Sequence, residues 1–357
     1  MKPARVGLMG CGVVATYGHL PALAAETGLE LTALFDPDAS RLKAAQDKFP
    51  VRHAFTDAEP FLHSGIDAVV VTSPAGVHLQ NVSDAAHHGL HVLCEKPLAL
   101  TEADALQMID QMKRAQRMLF TSFVYRFSPV ALEIKRLIQA GAIGRVASLR
   151  LIYDWDCHGK YETDAAGSRT IQKRREDRML EGGPMVDCGV HQIDLARWWL
   201  GSEVVHQHAH AAWADDYEAP DHVYLHLDHA NGAHAMVEMS YSYGHMAAQP
   251  VSHFCYEIIG ADGIIRYDRE AKVFELRDQN GTRTLPWDHE KNFAGTYAAF
   301  ARALQTGHPG DLATGTDGLI ATRIARTATE QAIAERVERQ AAAGGTFVSH
   351  SNSASKS

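Results

Sequence analysis

Val6-Gly7-Leu8-Met9-Gly10-Cys11-Gly12-Val13-Val14-Ala15 decides the fold. The short apolar run reads as a buried strand, and the residues after it match G-x-G-x-x-G/A opening a helix, the context in which that motif has physical meaning. Gly10 permits the tight turn, Gly12 lets the backbone approach a pyrophosphate, and Ala15 allows close helix–strand packing. Cys11, Val13 and Val14 complete the loop, and the helix amino terminus adds N–H donors and a positive dipole. The next strand, Leu31–Asp36, ends on an acid. A carboxylate at Asp36 accepts both ribose hydroxyls and repels a 2′-phosphate, so NAD is favoured over NADP. Arg41 would soften that preference only by folding back, and a helix-face arginine is ordinarily solvated.

Outward from this unit, Ala68–Thr72, His91–Cys94 and Met118–Phe123 read as further strands, with helices near Pro21–Glu26, Ser40–Lys48, Val77–His88 and Ala103–Ala115. Alternating strands and helices imply a parallel sheet covered on both faces, with ligands at its carboxyl edge. Thr72, Ser73 and Pro74 end one strand on that edge, and Glu95 and Lys96 end another. Beyond Pro129 a helical stretch, Ala131–Gln139, gives way to alternating runs: Val146–Tyr153, Val223–Leu227, Ala233–Ser240, Phe254–Ile259, Ile264–Tyr267 and Val273–Leu276. Asn231-Gly232, Asp262-Gly263 and Asn280-Gly281 mark turns between them, the pattern of an antiparallel sheet. A helix from about Asp317 to Arg339 follows. The expected fold class is α/β: an N-terminal Rossmann domain over residues 1–125, an α+β substrate-binding and oligomerisation domain with a large, mostly antiparallel open sheet over 126–345, and a flexible polar tail over 346–357.

The chain has 357 residues, 46% hydrophobic and 22% charged, ordinary globular values for two cores. No apolar run approaches the ~18 residues of a membrane span. A formal charge of −9 argues against a nucleic-acid partner. The start of the sequence lacks a signal-peptide pattern, so a cytoplasmic location is expected. Five scattered cysteines without a C-x-x-C pair imply reduced thiols.

Two segments carry the chemistry. In Glu95-Lys96-Pro97 the proline restricts Lys96 to extended geometry and aims its ammonium into the cleft, where it can polarise a hydroxyl or perturb a nearby acid–base group. A lone lysine is ordinarily just solvated. The second segment is Gly182-Gly183-Pro184-Met185-Val186-Asp187-Cys188-Gly189-Val190-His191-Gln192-Ile193-Asp194. If it is helical, Asp187 and His191 stand at i and i+4 and Asp194 shares their stripe. Alcohol oxidation needs a base for the hydroxyl proton, and a histidine oriented by a carboxylate is suited to it. Alone, such a pair is as well read as a buried structural bond.

With these segments in order, the sequence resembles the Gfo/Idh/MocA oxidoreductases, which include glucose–fructose oxidoreductase and inositol dehydrogenase. The resemblance spans about residues 4–340. It rests on the glycine loop, the T-x-P turn followed by His78, E-K-P at Glu95–Pro97, Tyr125-Arg126-Phe127-Ser128-Pro129, and G-G-x-x-x-D-x-G-x-H-x-x-D from Gly182 to Asp194. It implies that Lys96, Asp187 and His191 are the catalytic set, with His191 the acid–base. Asp194 would bind a substrate hydroxyl, and His78, Glu95 and Arg126 would join the cofactor site. It also implies a sugar, cyclitol or related polyol substrate and a homodimer or homotetramer formed through the C-terminal sheet.

Residues 154–181 depart from the rest as a polar, irregular stretch. As a pocket wall it would offer Trp155 and Tyr161 to stack on a sugar, with Tyr153 just before it counted among the substrate residues, and Arg174, Arg175 or Arg178 to bind an acidic group. The plainer reading is a solvated loop paired with its own acids Glu176, Asp177 and Glu181. Among 21 histidines, His206, His208 and His210 would share one face of a strand, but exposed sheet histidines account for them and no metal is expected. Three functions follow: NAD-dependent oxidation of a secondary alcohol, or its reverse; glycoside cleavage through transient oxidation and elimination; and a non-catalytic sugar or cofactor sensor, which has no need of the whole Lys96, Asp187 and His191 set.

Overall fold

The computed structural model describes residues 2–342, so the expected tail lies outside the described residues. The first sheet is built from β1 (Ala4–Met9), β2 (Leu29–Phe35), β3 (His53–Phe55), β4 (Ala68–Val71), β5 (His91–Cys94) and β6 (Leu119–Thr121), all parallel, in the order β6-β5-β4-β1-β2-β3. Alternate residues serve opposite faces. Val6, Leu8, Val70 and Leu93 meet Leu20 and Leu23 on one side, while Val69, Val71, Val92 and Cys94 meet Val82, Met108 and Met112 on the other. Burial on both faces is why these strands read as continuous apolar runs. Register then assembles the site: Met9 pairs with Phe35 and Val71, and Val71 with Cys94. The residues that follow, Gly10, Asp36, Thr72 and Glu95, therefore emerge side by side on the carboxyl edge. Thr72 fixes this edge by donating its hydroxyl to the carbonyls of Met9 (3.0 Å) and Gly10 (2.6 Å).

The second sheet begins with β7 (Val146–Asp154). After a hairpin of β8 (Tyr161–Thr163) and β9 (Arg169–Ile171), it continues through β10 (Val204–Ala212), β11 (His222–His229), β12 (His234–Ser240), β13 (His253–Gly260), β14 (Gly263–Asp268), β15 (Val273–Asp278) and β16 (Gly281–Thr284). The order is β10-β11-β12-β7-β13-β14-β15-β16, antiparallel except for the β12–β7 pair. One face carries Leu149, Leu151, Val223, Val237 and Tyr256, packed with Ile134, Val190, Ile193 and Ala325 of the helices Pro129–Gln139, Val190–Leu200 and Gly315–Ala342. The opposite face is polar, with cross-strand pairs such as Arg150–Glu257 at 2.7 Å. Among the described residues no helix is long and apolar enough to cross a membrane.

Several elements differ from expectation. The stretch read as irregular is ordered: the Asp164 carboxylate accepts from Ala166 N and Ser168 N to close the β8–β9 turn, and the Gln172 side chain caps a helix over Lys173–Leu180. A helix over Phe293–Thr306, capped by Asn292, had no reading in the sequence. Its Tyr297 and Phe300 enter the core of the first sheet, and the two-residue β17 (Ala313–Thr314) pairs antiparallel with β6. Residues 293–314 thus pack with the first sheet, although they lie in the expected second domain. The segment expected as one helix from Met185 starts as a π-helical turn, Met185–Gly189, and becomes α-helical only at Val190.

Candidate active site

One trough of about 1120 Å³ runs from the glycine loop to the turn that carries Asp187. At its first end it is lined by Gly10, Cys11, Gly12, Val13, Val14, Asp36, Thr72, Ser73 and Pro74. Gly10 sits at φ +98°, and a Cβ there would come within 2.7 Å of Ser73 N, so the turn admits glycine alone. Gly12 differs: a Cβ there would meet nothing within 4 Å and would project into the space a ligand needs. Asp36 accepts from Cys11 N at 2.7 Å and Asp38 N at 2.9 Å, which fixes its carboxylate beside the loop. An open glycine backbone with a fixed carboxylate one strand away fits the pyrophosphate and adenosine ribose of NAD.

At the other end the Lys96–Pro97 peptide is cis, and the Lys96 ammonium donates to Asp187 Oδ1 (2.6 Å) and to the Asp187 carbonyl (2.9 Å). Tyr241 donates its hydroxyl to Asp187 Oδ2, and Arg178 Nε lies 3.7 Å from the same oxygen. Burial alone would raise the Asp187 carboxyl, but the charges of Lys96 and Arg178 outweigh it and hold it far below the usual carboxylate range. Burial likewise opposes the Lys96 charge, and Asp187 overrides it to raise the ammonium. His191 goes the other way: burial first, and then the nearby Lys96 charge, push it well below the ordinary histidine value. It stacks on Tyr125 at 4.2 Å with 6° between the rings and meets the edge of Phe123 at 5.6 Å. Its Nδ1 is buried with no hydrogen-bond partner among the described residues. The site therefore combines a fixed cation with a neutral imidazole on one cavity wall.

Tyr153, Trp155 and Arg174 line the same cavity, the first two stacked at 5.7 Å. Four expected site residues do not reach it. Asp194 is fully buried and forks onto Arg126 at 2.7 and 2.5 Å, so each uses the other's polar atoms and neither faces a ligand. Both His191 and Asp194 lie in the regular α-helix Val190–Leu200, and the i+3 step turns Asp194 toward Arg126 while His191 faces the cavity. Arg175 is also fully buried, bonded to Asp215 Oδ2 (3.0 Å), to the Asp156 carbonyl (3.2 Å) and to the Tyr241 carbonyl; it braces the backbone of the tyrosine that holds Asp187. His78 bonds the carbonyls of Ser73 (2.9 Å), Pro97 (3.2 Å) and Leu98 (3.1 Å), stitching the two cofactor-side loops together from behind. The expected Asp187–His191 pairing is absent as well: the carboxylate is taken by Lys96 and Tyr241, and aromatic rings orient the imidazole.

Three contributors had little signal in the sequence. Tyr125 was visible as part of a motif but without a role. Tyr241 lies 54 residues from the carboxylate it holds. His19, buried in the helix after the glycine loop, bridges Tyr297 Oη and Glu95 Oε1, each at 2.9 Å. Burial would raise Glu95, but this contact with His19 and the Lys96 charge hold it at about 2.

Residues 4–123 match the family model described as an oxidoreductase family NAD-binding Rossmann fold, and residues 131–266 match the GFO/IDH/MocA C-terminal domain. D-apiose dehydrogenase of Paraburkholderia graminis is 28% identical over 285 residues, 80% of this chain and 72% of that protein. Myo-inositol 2-dehydrogenase of Thermotoga maritima is 31% identical over 201 residues, 56% of each chain. The crystal structure of a probable dehydrogenase from Thermotoga maritima superposes with a TM-score of 0.75 at 26% identity, covering 93% of this chain and 97% of that one.

Proposed function

The chain belongs to the GFO/IDH/MocA oxidoreductase family with an NAD-binding Rossmann fold, and we propose that it transfers hydride between a secondary alcohol of a sugar, cyclitol or related polyol and the nicotinamide. NAD, held by the glycine loop and Asp36, supplies the hydride acceptor. Lys96 has three N–H donors and spends two on Asp187, leaving one to hold and polarise the substrate hydroxyl. His191, neutral at pH 7, takes the hydroxyl proton. The observation that carries this reading is the neutral imidazole of His191 opening onto the same cavity as the fixed Lys96 ammonium.

Trp155, stacked on Tyr153, gives the sugar an aromatic wall. Arg174 and Lys291 line the cavity and bring positive charge to it, so an acidic sugar belongs among the substrates tested. A panel of aldoses, cyclitols, anhydrosugars and uronic acids, assayed for NADH formation, tests the proposal. His191→Ala is expected to lower kcat by about 100-fold or more while NAD still binds. No turnover with any polyol despite NAD binding would refute the dehydrogenase reading; full activity in Lys96→Ala would refute the site. We place the expected homo-oligomeric contact on the uncovered face of the second sheet, to be checked by light scattering.

A further inference from the structure

The polar face of the second sheet, behind the pocket wall, carries a cluster with no part in the chemistry above. Ser240 on β12 pairs with His222 on β11 and with Asp154 on β7, so His222 and Asp154 flank it in one row across three strands. Glu238, two residues earlier on β12, points to the same face. One ligand atom from each of Asp154, His222 and Glu238 lies within 4.8 Å of the others. His222 Nε2 and Glu238 Oε1 are 3.2 Å apart. Asp154 is only 3% exposed, and its Oδ1 has no hydrogen-bond partner among the described residues. Two carboxylates converging on one imidazole, one with a buried unpaired oxygen, leave negative charge where solvation is poor. A proton or a cation must complete such a group.

We infer that Asp154, His222 and Glu238 form a binding site for a divalent transition-metal ion of the zinc class. The donor set decides the class. Magnesium and calcium favour six or more oxygen ligands, whereas one imidazole with two carboxylates suits zinc and leaves a fourth position for water. In the single chain the His222 and Glu238 side chains are 19% and 16% exposed, which gives an ion its entry path before a second copy covers the face, while Asp154 closes the floor. The ion would tie together the ends of β7, β11 and β12. On β7 it sits between Tyr153 and Trp155, whose rings face the substrate cavity from the other side of the strand.

A second group, Glu59, His63 and His88, has similar spacing but lies mostly exposed on the first domain, and it serves as an internal comparison. Full-length protein stripped with chelator is titrated with zinc chloride, and the bound zinc is counted by elemental analysis after gel filtration. One zinc per chain is expected. His222→Ala and Asp154→Asn should each weaken it at least about tenfold, the loss that even outer-shell partners of a metal can cause, while His63→Ala leaves it unchanged. X-ray absorption of the zinc-loaded wild type needs no variant to fold, and should show nitrogen and oxygen ligands at about 2.0–2.2 Å and no sulfur. Zinc that is not retained, that survives His222→Ala undiminished, that is lost with His63→Ala, or that has sulfur in its shell would each overturn the assignment.

Discussion

At the scale of single residues, the proposed chemistry rests on groups that burial and neighbouring charge force into definite charge states. Lys96 and Asp187 stay ionised because each offsets the other's desolvation, and His191 stays neutral because aromatic rings surround it and the nearest charge is positive. A base must be neutral to act, and the His191 value is depressed, so activity should persist to lower pH than an ordinary histidine allows. The acid limb of kcat/KM is expected below pH 6.5, measured as initial rates across pH at saturating NAD; an acid limb at or above 6.5 would speak against His191 as the base. In the proposed reaction Tyr125, stacked on His191, is a positioning residue. Tyr125→Leu removes the stacked ring and admits water, so kcat should fall roughly three- to tenfold, the worth of an aromatic pair, and the acid limb should move up toward the ordinary histidine value.

At the scale of elements, the two glycines of the first loop do different work. At Gly10 the positive φ and the adjoining Ser73 backbone make any side chain costly, so Gly10→Ala should lower the thermal midpoint as well as NAD affinity. Gly12 faces open space, so Gly12→Ala should leave the midpoint within about a degree and weaken NAD by roughly tenfold, a loss of about 1.4 kcal/mol. Calorimetry and NAD titration on both variants separate the roles, and equal effects would contradict them. The π-helical turn at Met185–Gly189 is the other decisive element. It carries Asp187 on the cavity wall and leads into the α-helix in which His191 faces the cavity and Asp194 faces Arg126.

At the scale of the whole molecule, the Arg126–Asp194 pair joins the segment after the first sheet to the helix over the second. Arg126 also reaches the Asp311 carbonyl at 3.2 Å, beside β17, which returns the chain to the first sheet. Asp194→Ala leaves a buried guanidinium without its main partner and should cost about 3 kcal/mol in urea unfolding. KM should be unchanged, and a raised KM with unchanged stability would return Asp194 to the substrate site. The sequence by itself determined the parallel sheet, the glycine loop with Asp36 after the second strand, and the order of the candidate catalytic segments. Those features depend on local periodicity and on residues whose backbone or charge requirements admit few alternatives, such as Gly10 and Lys96. Only the tertiary structure decided which polar residues face the cavity. Asp194, Arg126, Arg175 and His78 look like ligand binders as sequence, yet each finds its partners within the protein: Asp194 and Arg126 in each other, Arg175 in Asp215 and the Asp156 and Tyr241 carbonyls, and His78 in the carbonyls of Ser73, Pro97 and Leu98. Tyr241 and His19 gained their roles the same way, because a long-range hydrogen bond in a buried site is fixed by packing and leaves no periodic trace in the chain.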